Sequence, residues 1–112
     1  MEPRRLPRRA PTRALSRRIE IAPRAQAEIV AIWEYTALEY GQDAATAYVT
    51  ELDAVMLRVL EFPHMGADCS EIRKGYRRIR AGSHMIYYVP HKRGIDAMRV
   101  MHHRQHARQL KS

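Results

Sequence analysis

The chain has 112 residues, with 20 Lys or Arg against 12 Asp or Glu, which gives a formal net charge of +8. This length allows one small domain, and no apolar run approaches the roughly 18 residues that a membrane-spanning helix needs. The one cysteine cannot close an internal disulfide or build a zinc knuckle, which favours a reducing, cytoplasmic location. The positive charge suggests an acidic partner, such as nucleic acid, the ribosome or an acidic protein.

The charge is unevenly distributed along the chain. Residues 1–18 carry seven arginines and one glutamate, a net of +6. Residues 19–72 carry ten acidic residues against two arginines, a net of −8, and residues 73–112 have a net of +10. The sequence therefore predicts a body with an acidic half and a basic half, preceded by a basic segment.

Residues 1–14 form a loose repeat in which proline recurs at Pro3, Pro7 and Pro11 among arginines. Because proline removes backbone donors that a helix needs, we expect a disordered basic leader over 1–14 and a folded domain over 15–112. A nucleic-acid-binding arm is the alternative interpretation of the leader.

The folded domain is predicted to begin with a strand and two helices. Alternation over 16–21 indicates a short strand, and Pro23 suits the first turn of a helix that ends at Gly41. Asp43 is the predicted N-cap of a second helix that Pro63 cannot continue. The predicted apolar stripes are Ile29, Trp33, Thr36 and Tyr40 in the first helix, and Ala44, Tyr48, Leu52, Val55 and Val59 in the second.

The hydrophobic period changes from helical to alternating after Pro63. The predicted β-segments are 71–73, 76–81, 84–89 and 95–102. Their short turns allow only an antiparallel meander. The predicted fold is therefore α+β: an N-terminal strand at a sheet edge or pairing back after the helices, an antiparallel helical hairpin, and a basic antiparallel sheet of three or four strands. A short C-terminal helix over 104–110 is weakly indicated.

Strand alternation predicts which side chains meet the hairpin. If Ile79 faces the helices, then Arg78 and Arg80 face the other way, as does Tyr76. Alternation also divides the last strand between two faces, without saying which face meets the helices. One face has Ile95, Ala97, Arg99 and Met101; the other has Asp96, Met98, Val100 and His102. The side chains expected to be buried together are Trp33, Tyr48, Leu52, Ile79 and Ile86.

Four segments follow one another along the chain in a specific order. They are IVAIWEYT at 29–36, PHMG at 63–66, YRRIRAGSHMIYY at 76–88 and RVMHHR at 99–104. In this order they resemble the first helix, the Pro-x-x-Gly loop, the central strands and the RVLHxR end of ParE proteins. The chain is thus similar to the RelE/ParE toxin superfamily of bacterial type II toxin–antitoxin systems, and most similar to ParE. Each motif alone is weak, whereas the four together are specific, and 1–14 lies outside the pattern.

The resemblance implies a toxin of plasmid-maintenance type that arrests growth and is held silent by a ParD-like antitoxin. ParE-like toxins are understood to poison DNA gyrase, whereas RelE-like relatives cut mRNA in the ribosomal A site. Because one fold carries both activities, the choice between them stays open. A non-toxic basic binding module and a decayed toxin are further alternatives. Charge complementarity with residues 73–112 predicts an acidic toxin-binding segment in the antitoxin.

Candidate functional residues come from the basic block and its histidines. Arginine suits carboxylates and phosphates alike. RelE-like proteins are understood to cut RNA with sheet Lys or Arg and a C-terminal Tyr or His. By this resemblance Arg78 and Arg80 would hold the phosphate. Because no tyrosine follows the last strand, acid–base chemistry would fall to His102 and His103, with His106 nearby. The residues predicted to contact a target or antitoxin are Arg73, Lys74, Arg77, Arg78, Arg80, Arg99, His102 and Arg104.

We expect neither a cofactor nor a metal. His102, His103 and His106 have no acidic ligand beside them in sequence. Cys69 lies in a predicted loop without a catalytic partner, so it is not expected to be a nucleophile. For His84, at a strand start, we expect a capping or packing role.

Overall fold

The computed structural model describes residues 17–105. Along the chain lie β1 (Arg18–Ile21), α1 (Pro23–Tyr40), α2 (Gln42–Glu61), β2 (Ala67–Asp68), β3 (Arg77–Ala81), β4 (His84–His91) and β5 (Gly94–His102). The strands form one five-stranded sheet in the order β1-β5-β4-β3-β2. The α+β fold, the helical hairpin and the antiparallel meander are confirmed. The leader predicted over 1–14 lies outside the described residues, as does the part of the predicted C-terminal helix beyond Gln105.

The N-terminal strand closes the sheet against the last strand. β1 runs parallel to β5, so the sheet is mixed, and every other neighbouring pair is antiparallel. The two strands come close at Gly94, whose φ is +141°. A Cβ at Gly94 would collide with the carbonyl oxygen of Arg18, so glycine suits this position for both its backbone angle and its lack of a side chain.

The two helices meet at a single residue. Gly41 follows α1 directly and has a φ of +98°, in the left-handed region that glycine tolerates. It also precedes α2, which begins at Gln42. The prediction that Asp43 is the N-cap is therefore wrong, because no linker remains between the helices. Asp43 lies in the first turn of α2, where its charge complements the helix dipole.

The main hydrophobic core lies between the hairpin and one face of the sheet. Leu52 and Ile86 are fully buried in it, as predicted, and Tyr48 and Ile79 pack against it. The buried residues of this core are Ala25, Leu52, Val55, Met56, Val59, Ala81, Ile86, Tyr88, Ile95, Ala97 and Val100.

Trp33 does not belong to this core. Its indole Nε1 donates to Oγ1 of Thr46 across the hairpin at 3.3 Å, and Ile32 packs against the sheet instead. Both predicted stripes also extend too far toward Gly41, because Tyr40 and Ala44 are exposed.

A β-bulge interrupts the alternation of β5. Tyr87 of β4 pairs with Arg99, whereas the next residue, Tyr88, pairs with Ala97. Met98 is therefore the extra residue between two ladder pairs. Such a residue reverses the facing of every side chain that follows it.

The bulge corrects the predicted faces of the last strand. Ile95 and Ala97 face the helices before it, and Val100 faces them after it. Met98 and Met101 join a second cluster on the opposite face. The prediction that strict alternation holds from Ile95 to Met101 is wrong, because the register shift falls between them.

The second cluster includes side chains of the loop 69–75. Its members are Cys69, Tyr76, Tyr87 and Met101, with Ile72, Met85, Val89 and Met98 packed against them. The strand predicted over 71–73 is wrong. The carbonyl of Cys69 accepts from the backbone N–H groups of Ile72 and Arg73, at 2.9 and 3.3 Å, and this turn takes the donors that a strand ladder needs.

Glu28 joins α1 to β5 directly after the bulge. Its Oε1 accepts the backbone N–H of Val100 at 2.7 Å. Its Oε2 accepts from Nε of Arg99 at 2.9 Å and lies 2.8 Å from Nη2 of the same side chain. The Glu28 and Arg99 side chains are only 22% and 11% exposed, so water screens the pair weakly.

Glu28→Gln is expected to lower the free energy of unfolding by about 1.5–3 kcal/mol, since it leaves charged donors of Arg99 without a carboxylate. Urea denaturation measures the decrease. Glu34→Gln on the exposed side of α1 is the matched control, expected to change stability by less than about 0.5 kcal/mol. Equal decreases in the two variants would contradict this account of Glu28.

Candidate functional site

A groove with several aromatic rings lies where the Gly41 end of the hairpin meets the β3–β4 turn. We call it the hairpin groove. Its volume is about 590 Å³. It is lined by Ala31, Ile32, Tyr35, Thr36, Tyr40, Ala44, Tyr48, Ser83, His84 and His102. Tyr35 and Tyr40 are 62% and 73% exposed, and the nearby Leu38 is 83% exposed. Clustered exposed apolar side chains of this kind mark interaction surfaces.

Tyr48 fixes one wall of the hairpin groove. Its hydroxyl oxygen accepts the backbone N–H of Ser83 at 2.8 Å and lies 2.6 Å from Nδ1 of His84. These contacts tie the β3–β4 turn to α2, and they confirm the packing role predicted for His84. His84 also pairs with His102 across the strands, with ring centroids 5.4 Å apart.

The histidines of this wall form a continuous group. His102 stacks on His103 with ring centroids 4.6 Å apart. Burial, then the charges of His102 and His103, lowers the pKa of His84. Partial loss of hydration, then the charge of Arg80, lowers the pKa of His103. His84 and His103 therefore resist protonation, because an added charge on either would be poorly hydrated and would meet other positive charges.

The face of the sheet opposite the helices carries arginines of β3. Arg78 and Arg80 flank Ile79, which faces the core, so both project from this open face together. Nε of Arg80 donates to the carbonyl of Gly82 at 2.6 Å. The neighbouring Arg77 instead faces the turn after α2.

Arg77 has a structural role in this turn. Its Nε donates to the Gly66 carbonyl at 3.0 Å, and its Nη2 donates to the His64 carbonyl at 3.1 Å. Its Nη1 lies 3.8 Å from a carboxylate oxygen of Asp68. These contacts hold the segment between α2 and β2 against β3.

A second concavity lies near the start of α1, and we call it the cationic cleft. Three arginines line it, Arg24, Arg73 and Arg99, and its volume is about 350 Å³. The remaining lining residues are Ala22, Pro23, Tyr76 and Met98. The guanidinium carbon of Arg73 lies 5.7 Å from the ring centroid of Tyr76, a cation–π contact.

The residues predicted for RNA cleavage lie in different parts of the structure. Arg78 and Arg80 lie on the open face, whereas His102 lies on the helix side beside His84. His103 follows β5 in a turn, close enough to Arg80 for its pKa to respond. Of the two predicted acid–base groups, His102 is therefore separated from Arg78 and Arg80 by the sheet, whereas His103 lies near Arg80.

The residues predicted to contact a partner are similarly spread over the surface. Arg73 and Arg99 meet in the cationic cleft, although Arg99 is also bonded to Glu28. Lys74 is exposed in the turn before β3. Arg104 lies in the turn after β5, where its backbone N–H donates to Nδ1 of His102 at 3.1 Å.

Sequence reasoning missed Arg24 and the exposed tyrosines of the hairpin groove. Arg24 lies in the acidic block, so no local pattern links it to the basic one. Tyr35 could have been found from the sequence, because it is a large aromatic residue outside the predicted apolar stripe of the first helix. An aromatic side chain in such a position indicates contact with something other than the core.

Residues 17–105 were also searched for a metal site, a reactive cysteine and a membrane-spanning helix. No group of three or more His, Cys, Asp or Glu there is arranged to hold a metal ion, and His106 lies outside these residues. Cys69 is buried, and desolvation raises its pKa, which disfavours the reactive thiolate. No helix in this part of the chain is long and apolar enough to cross a membrane.

Comparison with known proteins places this architecture in a family. A family model described as "ParE toxin of type II toxin-antitoxin system, parDE" matches residues 19–107. The chain belongs to the ParE toxin family. Toxin ParE1 of Mycobacterium tuberculosis is 41% identical over 91 residues, which cover 80% of this chain and 93% of the relative. Toxin ParE1 of Caulobacter vibrioides is 35% identical over 88 residues, covering 79% and 91%.

A solved structure shares the ParE fold. It is titled "Chromosomal ParDE TA system from P. aeruginosa", and the TM-score is 0.67 over 78% of this chain and 96% of that chain. The sequence identity is 15%, so this comparison supports the architecture alone. The resemblance to ParE deduced from the four motifs is confirmed, and the protein is a ParE-like toxin of a toxin–antitoxin system.

The lowered pKa of His84 predicts a decrease in stability in mild acid. Its stabilising contribution is complete above the unfolded pKa of about 6.5 and is lost as the pH falls through the lower folded pKa, because only the unfolded chain binds the proton at first. The urea concentration at half unfolding should therefore be lower at about pH 5.5 than at about pH 7.5.

His84→Gln should reduce this pH dependence, while the exposed His64→Gln should keep it. The comparison uses urea midpoints of the three proteins at both pH values. If His84→Gln retained the full decrease, the lowered pKa of His84 would not be its source.

Proposed function

We propose that this ParE-family toxin inhibits DNA gyrase in the bacterial cytoplasm and is neutralised by a cognate ParD-like antitoxin. Expressed alone, it would arrest growth, and on a plasmid such a pair would favour plasmid maintenance. The observation that favours gyrase over RNA cleavage is that His102 lies on the opposite side of the sheet from Arg78 and Arg80, which leaves His103 as the one predicted acid–base group near these arginines. Membership of the ParE family supports the same choice.

Inhibition of a large enzyme requires a binding surface rather than a catalytic pocket. The open face offers paired guanidinium groups at Arg78 and Arg80, and these suit a carboxylate-rich protein surface. The acidic block 19–72 lies chiefly in the hairpin, away from this face. This polarity supports docking through the basic side of the sheet.

The hairpin groove suits the antitoxin. Its exposed aromatic residues, Tyr35 and Tyr40, would be covered by apolar side chains of a partner helix. Acidic residues of the same partner would meet the basic block 73–112. The solved ParDE system with a similar fold supports a ParD-like partner.

RNA cleavage remains the second candidate because of one electrostatic interaction. His103 lies close enough to Arg80 for the arginine charge to lower its pKa, so one acid–base group and one cation are neighbours. A RelE-like mRNA endoribonuclease would use this pair, with His102 stacked behind His103.

Purified protein is expected to reduce the supercoiling of relaxed plasmid DNA by gyrase. Arg78→Ala with Arg80→Ala should raise the concentration needed for half inhibition by about tenfold, since buried arginine contacts are frequent hot spots. Lys92→Ala with Arg93→Ala in the β4–β5 turn removes the same charge and should have little effect.

If supercoiling is unchanged and the protein cuts mRNA on ribosomes, gyrase inhibition is wrong and the RelE-like function takes its place. No effect in either assay would leave a basic binding module or a decayed toxin. Circular dichroism of every variant checks that the fold is retained.

Antitoxin binding is expected to depend on the hairpin groove. Tyr35→Glu should weaken the affinity for the antitoxin encoded beside this gene by at least about tenfold, because it places a charge in an apolar contact. Leu57→Glu on α2 is the control, since Leu57 is similarly exposed, at 59%, but lies outside the groove. Calorimetric titration gives both affinities, and equal affinities would place the antitoxin elsewhere.

A further inference from the structure

We infer that Glu28 and Gln105 keep the free edge of β5 from pairing with a second copy of this chain, a role separate from gyrase inhibition and antitoxin binding. β1 covers the outer side of β5 only as far as Ala97, whereas β5 continues to His102. In the described part of the chain, no strand pairs with β5 on this side over 98–102, which we call the β5 edge. An uncovered strand edge of this kind is a template for pairing with another chain.

Two side chains take the backbone donors of the β5 edge. The N–H of Val100 donates to Oε1 of Glu28 at 2.7 Å, and the N–H of His102 donates to Oε1 of Gln105, also at 2.7 Å. Successive residues of an antiparallel ladder direct their backbone groups to opposite sides, so these two donors lie together on the side away from β4. The edge therefore offers a new strand no free N–H at either position.

The two acceptors come from outside the strand. Glu28 lies on α1, and Gln105 lies in the turn after β5. The outer strands of the sheet, β1 and β2, are only four and two residues long, and short outer strands limit pairing by themselves. The β5 edge lacks this protection, because this part of β5 extends past the end of β1. The side-chain acceptors supply the protection instead.

A second copy could pair symmetrically with the β5 edge. With a two-fold axis at Met101, Val100 of one copy lies opposite His102 of the other, and each such pair exchanges two N–H···O=C bonds. The donors that this arrangement needs are those that the two side chains hold. Arg99 would also come close to Arg104 of the other copy, and their like charges oppose the contact. Self-pairing therefore requires both acceptors to withdraw and the arginine charges to be screened.

Sedimentation velocity of the full chain, at about 0.5 M NaCl to screen the arginines, tests the inference. Glu28→Met with Gln105→Met removes both acceptors. Glu28→Met with Gln105→Glu is the matched control, since it has the same change at Glu28 but keeps a carboxylate oxygen for the N–H of His102. Gln105 is exposed, so its replacement should affect stability little in either protein.

The variant without acceptors should dimerise with a dissociation constant at least about tenfold lower than that of the control, because each copy contributes one more free donor to the pairing. Amide hydrogen exchange of Val100 and His102 should slow as its concentration rises, which would place the contact on the β5 edge. Equal association of the two proteins, including none in either, would overturn the inference. Dimerisation without slower exchange at these two amides would also overturn it.

Circular dichroism checks that both proteins are folded. Where Glu28→Met prevents folding, Gln105→Met and Gln105→Glu as single changes give the same comparison at one donor, and the same order of dissociation constants is expected. The unaltered chain should associate no more than the Gln105→Glu variant, and stronger association would contradict protection of the edge. The assay contains neither gyrase nor antitoxin, so its outcome is independent of the proposed function.

Discussion

The carboxylate of Glu28 fixes the relation between the helices and the sheet. It binds the guanidinium of Arg99 and the N–H of Val100 just after the extra residue, Met98. A bulge disrupts the ladder locally and bends the strand, and here a helical side chain binds the backbone at that point. The second half of β5 therefore presents Val100 to the hairpin and Met101 to the opposite face.

Two unlike surfaces result from this arrangement. The helix side ends in a groove of tyrosine and histidine rings, and the open side displays arginines over a smaller apolar cluster. The whole-chain charge of +8 misrepresents this body, since +6 of it belongs to residues 1–18. The residues after 18 have a net charge near zero, but their acidic and basic side chains lie on different sides of the domain. This distribution suits recognition of acidic partners by the basic side only.

Local signals in the sequence were sufficient for most of the architecture. Gly41 and Pro63 mark helix ends by backbone geometry, and alternation marks β3 and β4, so these elements were predictable. The bulge at Met98 was not, because register belongs to a pair of strands rather than to either one. The prediction that Trp33 is buried in the core was wrong for a related reason. Burial of a helix residue depends on how far the sheet extends beneath α1, and the helix sequence alone does not contain that information.

The placement of β5 affects how the toxin is made. β5 is the last described strand in the chain, yet it lies inside the sheet between β1 and β4. A ribosome therefore releases the hairpin, β3 and β4 before the strand that completes the core exists. Pairing of β1 with β5 spans most of the domain, and such distant contacts form late. The nascent chain therefore completes the sheet and its main core only after β5 has left the ribosome.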